Sequence, residues 1–193
     1  PLVGHTLQRF QKAGVRRVVI IFNSAERSCV KWVRRNFPDM KTEFIVKSTK
    51  SSFESFCRVV KKLGPGRHLV STVDSICSLK DIQKMLSARA NRKVCLGLTT
   101  FVDDEKPLFA GMDRSGRIVS LGGKSGRWVT AGLYSVPGTL SGALSKGKWD
   151  SLRLFLGHLV QSGYTVNGIK LSHIVDVDRP EDIKTAENFL RSH

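Results

Sequence analysis

The chain has 193 residues, 40% hydrophobic and 25% charged, with a formal net charge of +16 and a pI near 10.2. Those values predict one globular domain over residues 1–193 with a packed core. No apolar run approaches the ~20 residues of a membrane span, and no basic-then-apolar signal segment opens the chain, so no membrane partner is expected.

The charge favours anionic partners such as nucleotides and phosphorylated substrates. Nucleic acid is a weaker expectation: the basic pairs Arg16-Arg17, Arg34-Arg35, Lys61-Lys62 and Arg92-Lys93 mostly fall near predicted helix ends, where they complement the helix dipole. There is no arginine stripe or aromatic stacking motif. Cys29, Cys57, Cys77 and Cys95 form no CxxC pair and read as free thiols of a cytoplasmic protein.

Leu2 to Ala13 predicts a helix, with Val3, Leu7 and Phe10 on one face and Gly14 at its end. Val18 to Phe22 is a short apolar run, as in a strand covered on both faces. A helix from about Ala25 to Asn36 stops before Pro38, and Glu43 to Val46 predicts a strand. Ser51-Ser52-Phe53-Glu54 is a capping box opening a helix to about Leu63. Gly64-Pro65-Gly66 turns into a strand, His68 to Val73, closed by Asp74. Ser78 caps a helix to about Ala90, and Val94 to Leu98 is a further strand.

Asp113-Arg114-Ser115-Gly116 predicts a turn between strands Pro107–Gly111 and Arg117–Leu121. Trp128 to Val136 predicts a strand, and about Trp149 to Gln161 a helix. Strands follow near Thr165–Leu171 and Ile174–Val177, then a last helix led by Asp178. Alternating strands and helices with short connections predict an α/β fold, a three-layer, mostly parallel mixed sheet with a hairpin at one side.

Ligands of open α/β sheets bind beyond the carboxyl ends of the strands. Asp74 stands at one such end, and Asp176 and Asp178, two residues apart on one strand face, stand at another. Such a carboxylate set suits a hard divalent cation, Mg²⁺, that also takes phosphate oxygens. Lys50, Lys106 and Lys124 are loop cations that could assist. Structural roles compete: Asp178 with Glu181 also fits a capping box, Asp74 fits a turn, and lysines near turns are usually solvated. Asp176 is harder to explain structurally, because strands disfavour Asp. The histidines have no ligand spacing, and no GxSxG, P-loop or Rossmann GxGxxG occurs.

Five segments follow one another in order: Pro1 to Gly14 followed by Val18–Phe22, Ser71-Thr72-Val73-Asp74, Gly116-Arg117-Ile118, Ala131 to Pro137, and Val175 to Asp182 with Ala186-Glu187. Together they resemble the nucleotidyltransferase superfamily of sugar-nucleotide pyrophosphorylases and molybdenum-cofactor guanylyltransferase-like proteins. The resemblance implies a Rossmann-like, GT-A-like sheet and an Mg²⁺-dependent enzyme. Its reaction would transfer NMP from an NTP to a phosphorylated acceptor, broadly a sugar phosphate, with release of pyrophosphate. Asp74 and Asp178 would hold the ion, with Asp176 as a third ligand or a supporting group. Lys124 would contact the acceptor phosphate. Ser51, Ser52, Thr72 and Asp74 would line the nucleotide.

One departure stands out. The family opens with a strand and a Gly-rich loop, and this chain starts at Pro1, just past them, so an N-terminally truncated domain lacking that strand and loop is expected. An inactive regulatory or interaction domain of the same fold is the competing expectation, and a basic nucleic-acid-binding domain is a second.

Overall fold

The computed structural model describes residues 1–88, 93–100, 107–140, 149–172 and 174–192. Its helices are α1 (Leu2–Lys12), α2 (Ser28–Asn36), α3 (Ser52–Leu63), α4 (Leu79–Ser87), α5 (Leu152–Gln161) and α6 (Asp182–Ser192). Its strands are β1 (Arg17–Phe22), β2 (Lys41–Val46), β3 (Arg67–Ser71), β4 (Ser75–Cys77), β5 (Val94–Thr99), β6 (Phe109–Met112), β7 (Ile118–Leu121), β8 (Trp128–Pro137), β9 (Val166–Lys170) and β10 (Ile174–Asp176). The predicted Ala25 helix splits into a 3-10 turn at Ser24–Glu26, capped by Asn23, and α2.

The predicted serine caps form at Ser51 and Ser78, and Ser151 caps α5, which starts at Leu152 rather than near Trp149. Ser51, Ser78 and Ser151 each accept a hydrogen bond from the backbone N–H three residues on, so each satisfies one orphan donor of a helix first turn. The Glu54 carboxylate reaches the Lys50 N–H at 2.9 Å, one residue upstream of the cap.

Strand β8 is the spine of the larger sheet. One edge pairs antiparallel with β5; the other serves β6 through Trp128 and Val129 and then β3 through Leu133 to Pro137. Strand β5 pairs parallel with β9, and β7 closes the predicted hairpin on β6. Hence β3, β5, β6 and β9 run one way, with β7 and β8 against them. Strands β1 and β2 form a separate parallel pair, and β4 and β10 a short antiparallel one.

The layers follow from side-chain alternation on β8. Tyr134 and Val136 join Phe53, Phe56, Phe155 and Leu159 of α3 and α5 on one face. Ala131 and Leu133 join Phe10 of α1 and Ile82 and Met85 of α4 on the other. Helix α1 also packs Val3 and Leu7 against Ile20, Phe22 and Val33, which binds the β1–β2 pair to the rest. Helix α6 covers Ile76 and Val175 of the β4–β10 pair with Ala186 and Phe189. Among the described residues no helix is long and apolar enough to cross a membrane.

Candidate functional site

The acidic residues meet where β3 gives way to β4. The strand predicted to run to Val73 ends at Ser71, and the chain turns through Asp74 into the three-residue β4, an element the sequence pattern does not announce. Strand β4 pairs with β10 so that Ser75 faces Asp176. The Val177 N–H then donates to the Asp74 carbonyl at 3.1 Å. Asp74 therefore lies beside Val177, with Asp176 and Asp178 as that residue's two chain neighbours.

Beneath them runs a hydrogen-bonded chain. The Ser75 hydroxyl donates to Asp176 Oδ1, and Thr72 Oγ1 lies 2.8 Å from Ser75 Oγ. Ser75 has one proton and uses it on the carboxylate, so Thr72 is the donor of the second bond. The chain fits because residue 132 is glycine. Its φ is +64°, and a Cβ there would sit 2.6 Å from Thr72 Oγ1 and 3.0 Å from Ser75 Cβ. Gly132 also accepts the Thr72 N–H at 3.0 Å, at the point where β8 passes its edge from β6 to β3.

Tyr134 is buried under the same acids. Burial pushes its phenol up to about 12, with the negative charges of Asp176 and Asp74 adding and Arg153 opposing. Cys77 is likewise pushed up to about 12 by burial, then by Asp81 and Asp176. A second buried network holds β10 in place. The Asp81 carboxylate accepts from Ser78 Oγ at 2.8 Å, Ser172 N at 3.1 Å and Ser172 Oγ at 2.5 Å, tying the start of α4 to the turn before Ile174.

The other expected site residues are placed as follows. Asp178 lies beyond the end of β10, so it does not share a strand face with Asp176. At the start of α6 the Asp182 carboxylate accepts from Asp178 N at 3.0 Å and Arg179 N at 2.8 Å. Among the described residues no group of three or more His, Cys, Asp or Glu side chains is placed to hold a metal ion. Asp74, Asp176 and Asp178 are thus neighbours along the backbone without forming a closed three-carboxylate cage.

Ser51 is the α3 cap, and Ser52 Oγ accepts the Leu152 N–H at 3.2 Å, docking α5 on α3. Lys124 is exposed after Gly122-Gly123, which line a cavity of about 430 Å³ with Trp149, Arg153 and His158. Lys50 is exposed beside the α3 cap, and Lys106 lies outside the described residues. Sequence reasoning missed Ser75, Gly132, Tyr134 and Arg153. Only Gly132, a glycine within an apolar strand, carried a local signal.

Comparison with known proteins adds the fold. No family model and no curated protein matches the sequence. Solved structures do. An inositol-1-phosphate CTP transferase from T. maritima matches with a TM-score of 0.83 at 19% identity, over 99% of this chain and 82% of that one. A UDP-glucose pyrophosphorylase complexed with UDP-glucose matches at 0.79 and 12% identity, over 100% and 88%. HddC from Yersinia pseudotuberculosis matches at 0.73 and 16% identity, over 96% and 84%. The mixed sheet and its helical layers are therefore the fold shared with these structures.

Proposed function

We propose that the chain is an Mg²⁺-dependent nucleotidyltransferase that moves NMP from an NTP to a phosphorylated acceptor, a sugar phosphate. The observation that carries this reading is the Val177 N–H to Asp74 carbonyl bond, which brings the acids of two distant chain segments to one place. The fold shared with a CTP transferase and a pyrophosphorylase supports it.

In the reaction an acceptor phosphate oxygen attacks the α-phosphorus. The bond from that phosphorus to the bridging oxygen breaks, and pyrophosphate leaves with the electron pair. Mg²⁺, held by Asp74 and Asp178, would supply positive charge to offset the negative charge that develops on the phosphates. The residues fit such an ion, because Mg²⁺ needs only one or two carboxylates besides phosphate and water. Asp74 and Asp178 supply them. Asp176, oriented by Ser75, stands beside as a third ligand or as support. Thr72, Ser51 and Ser52 line the nucleotide, and Lys124 meets the acceptor phosphate. The strongly basic surface raises the local concentration of both anionic substrates.

The test is pyrophosphate release with each NTP, Mg²⁺ and a panel of sugar phosphates. Asp74→Asn and Asp178→Asn are expected to lower turnover by about 10²-fold or more, since an ion of this kind contributes several kcal/mol in the transition state. Full turnover in both variants would remove the two-aspartate assignment.

A further inference from the structure

Helix α2 and the residue before it carry Arg27, Lys31, Arg34 and Arg35 and no acid. At 3.6 residues per turn these four positions fall within an arc of about 100°, over a length of about 12 Å. All four are exposed, and the arc lies on the side away from Val33, which is wholly buried. Val33 turns inward to the cluster of Val3, Leu7 and Ile20, so the cations form one outward ridge.

Local structure does not use these charges. The ion pairs among the described residues are Arg17–Glu43, Lys62–Glu43, Lys47–Glu54 and Arg58–Glu54, and none involves the ridge. Glu26, next to Arg27 in the chain, is turned back to the Asn23 N–H at 3.3 Å. The helix dipole accounts for Arg34 and Arg35, which stand in the last turn. It does not account for Lys31 in mid-helix, and a cation at the cap position of Arg27 opposes it. Arg34 lies over the Phe44 ring of β2, 5.3 Å from its centroid, so an aromatic ring rather than an acid positions its guanidinium.

A line of unpaired cations is complementary to a line of anions. Among the described residues the exposed large hydrophobic side chains are Val73, Leu86, Val119, Leu154 and Ile183, none of them on α2. The ridge thus has no apolar side chain to insert into a bilayer and no apolar centre for a protein interface. Three of its four cations are arginines, whose planar fork matches phosphate oxygens in pairs. Its length spans roughly three to four phosphates of one strand, at about 3.4 Å each. We propose that the α2 ridge is a docking surface for the phosphate backbone of nucleic acid, bound without reading its bases. This inference does not depend on the transfer reaction.

The test is binding of a mixed-sequence DNA duplex of about 20 base pairs by the whole chain, followed by fluorescence anisotropy against salt. Four neutralised phosphates predict a slope of log K on log salt of about −3.6, which weakens binding about 10²-fold between roughly 50 and 200 mM salt. Lys31→Gln combined with Arg35→Gln is expected to halve the slope and leave a loss of about 10-fold over the same range. Lys80→Gln combined with Lys184→Gln, at exposed lysines of α4 and α6, is expected to keep the parent slope. An RNA duplex of the same length runs beside the DNA; binding of either with the expected slope upholds the proposal, and the tighter of the two names the source of the phosphates. Three results would overturn it. One is no binding of either duplex at about 100 μM protein in low salt, the weak end of non-specific affinity. Another is an equal loss of slope in the two double variants, which would spread the contact over the whole basic surface. The third is a larger effect of Lys31→Gln with Arg35→Gln on uptake by phosphatidylserine vesicles than on duplex binding, which would make the ridge a membrane contact.

Discussion

Gly132→Ala tests the geometry under the acids. The alanine Cβ would enter the space of Ser75 Oγ and stand 2.6 Å from Thr72 Oγ1, and the backbone at +64° adds its own strain. A left-handed conformation costs a non-glycine residue about 1–2 kcal/mol, and overpacking a filled site costs about 1–3 kcal/mol. The neighbours cannot yield cheaply: Ser75 is 4% exposed and already bonded to both Thr72 and Asp176. Together these predict a loss of about 2–5 kcal/mol, or a melting temperature lower by about 4–20 °C for a chain of this length. Urea denaturation measures the first and calorimetry the second. In the Gly132→Ala, Ser75→Ala double variant the worst clash is gone while the backbone strain remains. Its destabilisation should therefore fall short of the sum of the single variants by about 1 kcal/mol or more. A Gly132→Ala loss below about 1 kcal/mol, or strictly additive variants, would show that the Thr72–Ser75–Asp176 chain is not packed against residue 132.

Other consequences can be checked on the same protein. Asp81→Ala strands the Ser172 N–H and hydroxyl and is expected to cost about 2–4 kcal/mol; a urea midpoint within error of the parent would remove Asp81 as the latch of β10. Cys77 and Tyr134 hold their protons up to about 12 in the folded chain, against ordinary values of 9.0 and 10.0. The unfolded chain loses those protons first, so their contribution is complete below pH 9 and drains away as pH rises toward 12, by on the order of 1 kcal/mol per pH unit for each group. Cys77→Ala should flatten the part of that decline that begins near pH 9, and an unchanged slope in denaturant titrations would contradict the burial of the thiol. Ser151→Ala removes the α5 cap and should cost about 1 kcal/mol, measured by urea denaturation.

Much of the fold is legible in the chain because its determinants are local. Ser51 and Ser78 cap their helices through bonds spanning three residues. The Val18–Phe22 run reads as a covered strand because five apolar residues in succession have no exposed face to offer. The Asp113–Gly116 turn closes the β6–β7 hairpin through contacts no more than four residues apart: Asp113 Oδ1 accepts from Ser115 N and Arg117 N. Asp176 drew attention because a carboxylate in a strand needs a reason, and the structure supplies one in Ser75, 101 residues away.

That separation marks where sequence reading stops. Strand β4 has three residues, too few to show a period, and it exists because β10 pairs with it. Val73 reads as strand by its apolar side chain, yet the chain leaves β8 after Thr72 and turns to place Asp74 beside Val177. The Asp182 carboxylate accepts from two backbone N–H groups ahead of α6, those of Asp178 and Arg179, a contact the sequence does not announce. The residues alone determined the helices, most strands and the identity of the acids, since periodicity and capping act within a few residues. Only the tertiary structure decided that the backbone of Asp74 lies beside Val177 and that Gly132 makes room for the Thr72–Ser75–Asp176 chain, because those outcomes depend on contacts between segments tens of residues apart.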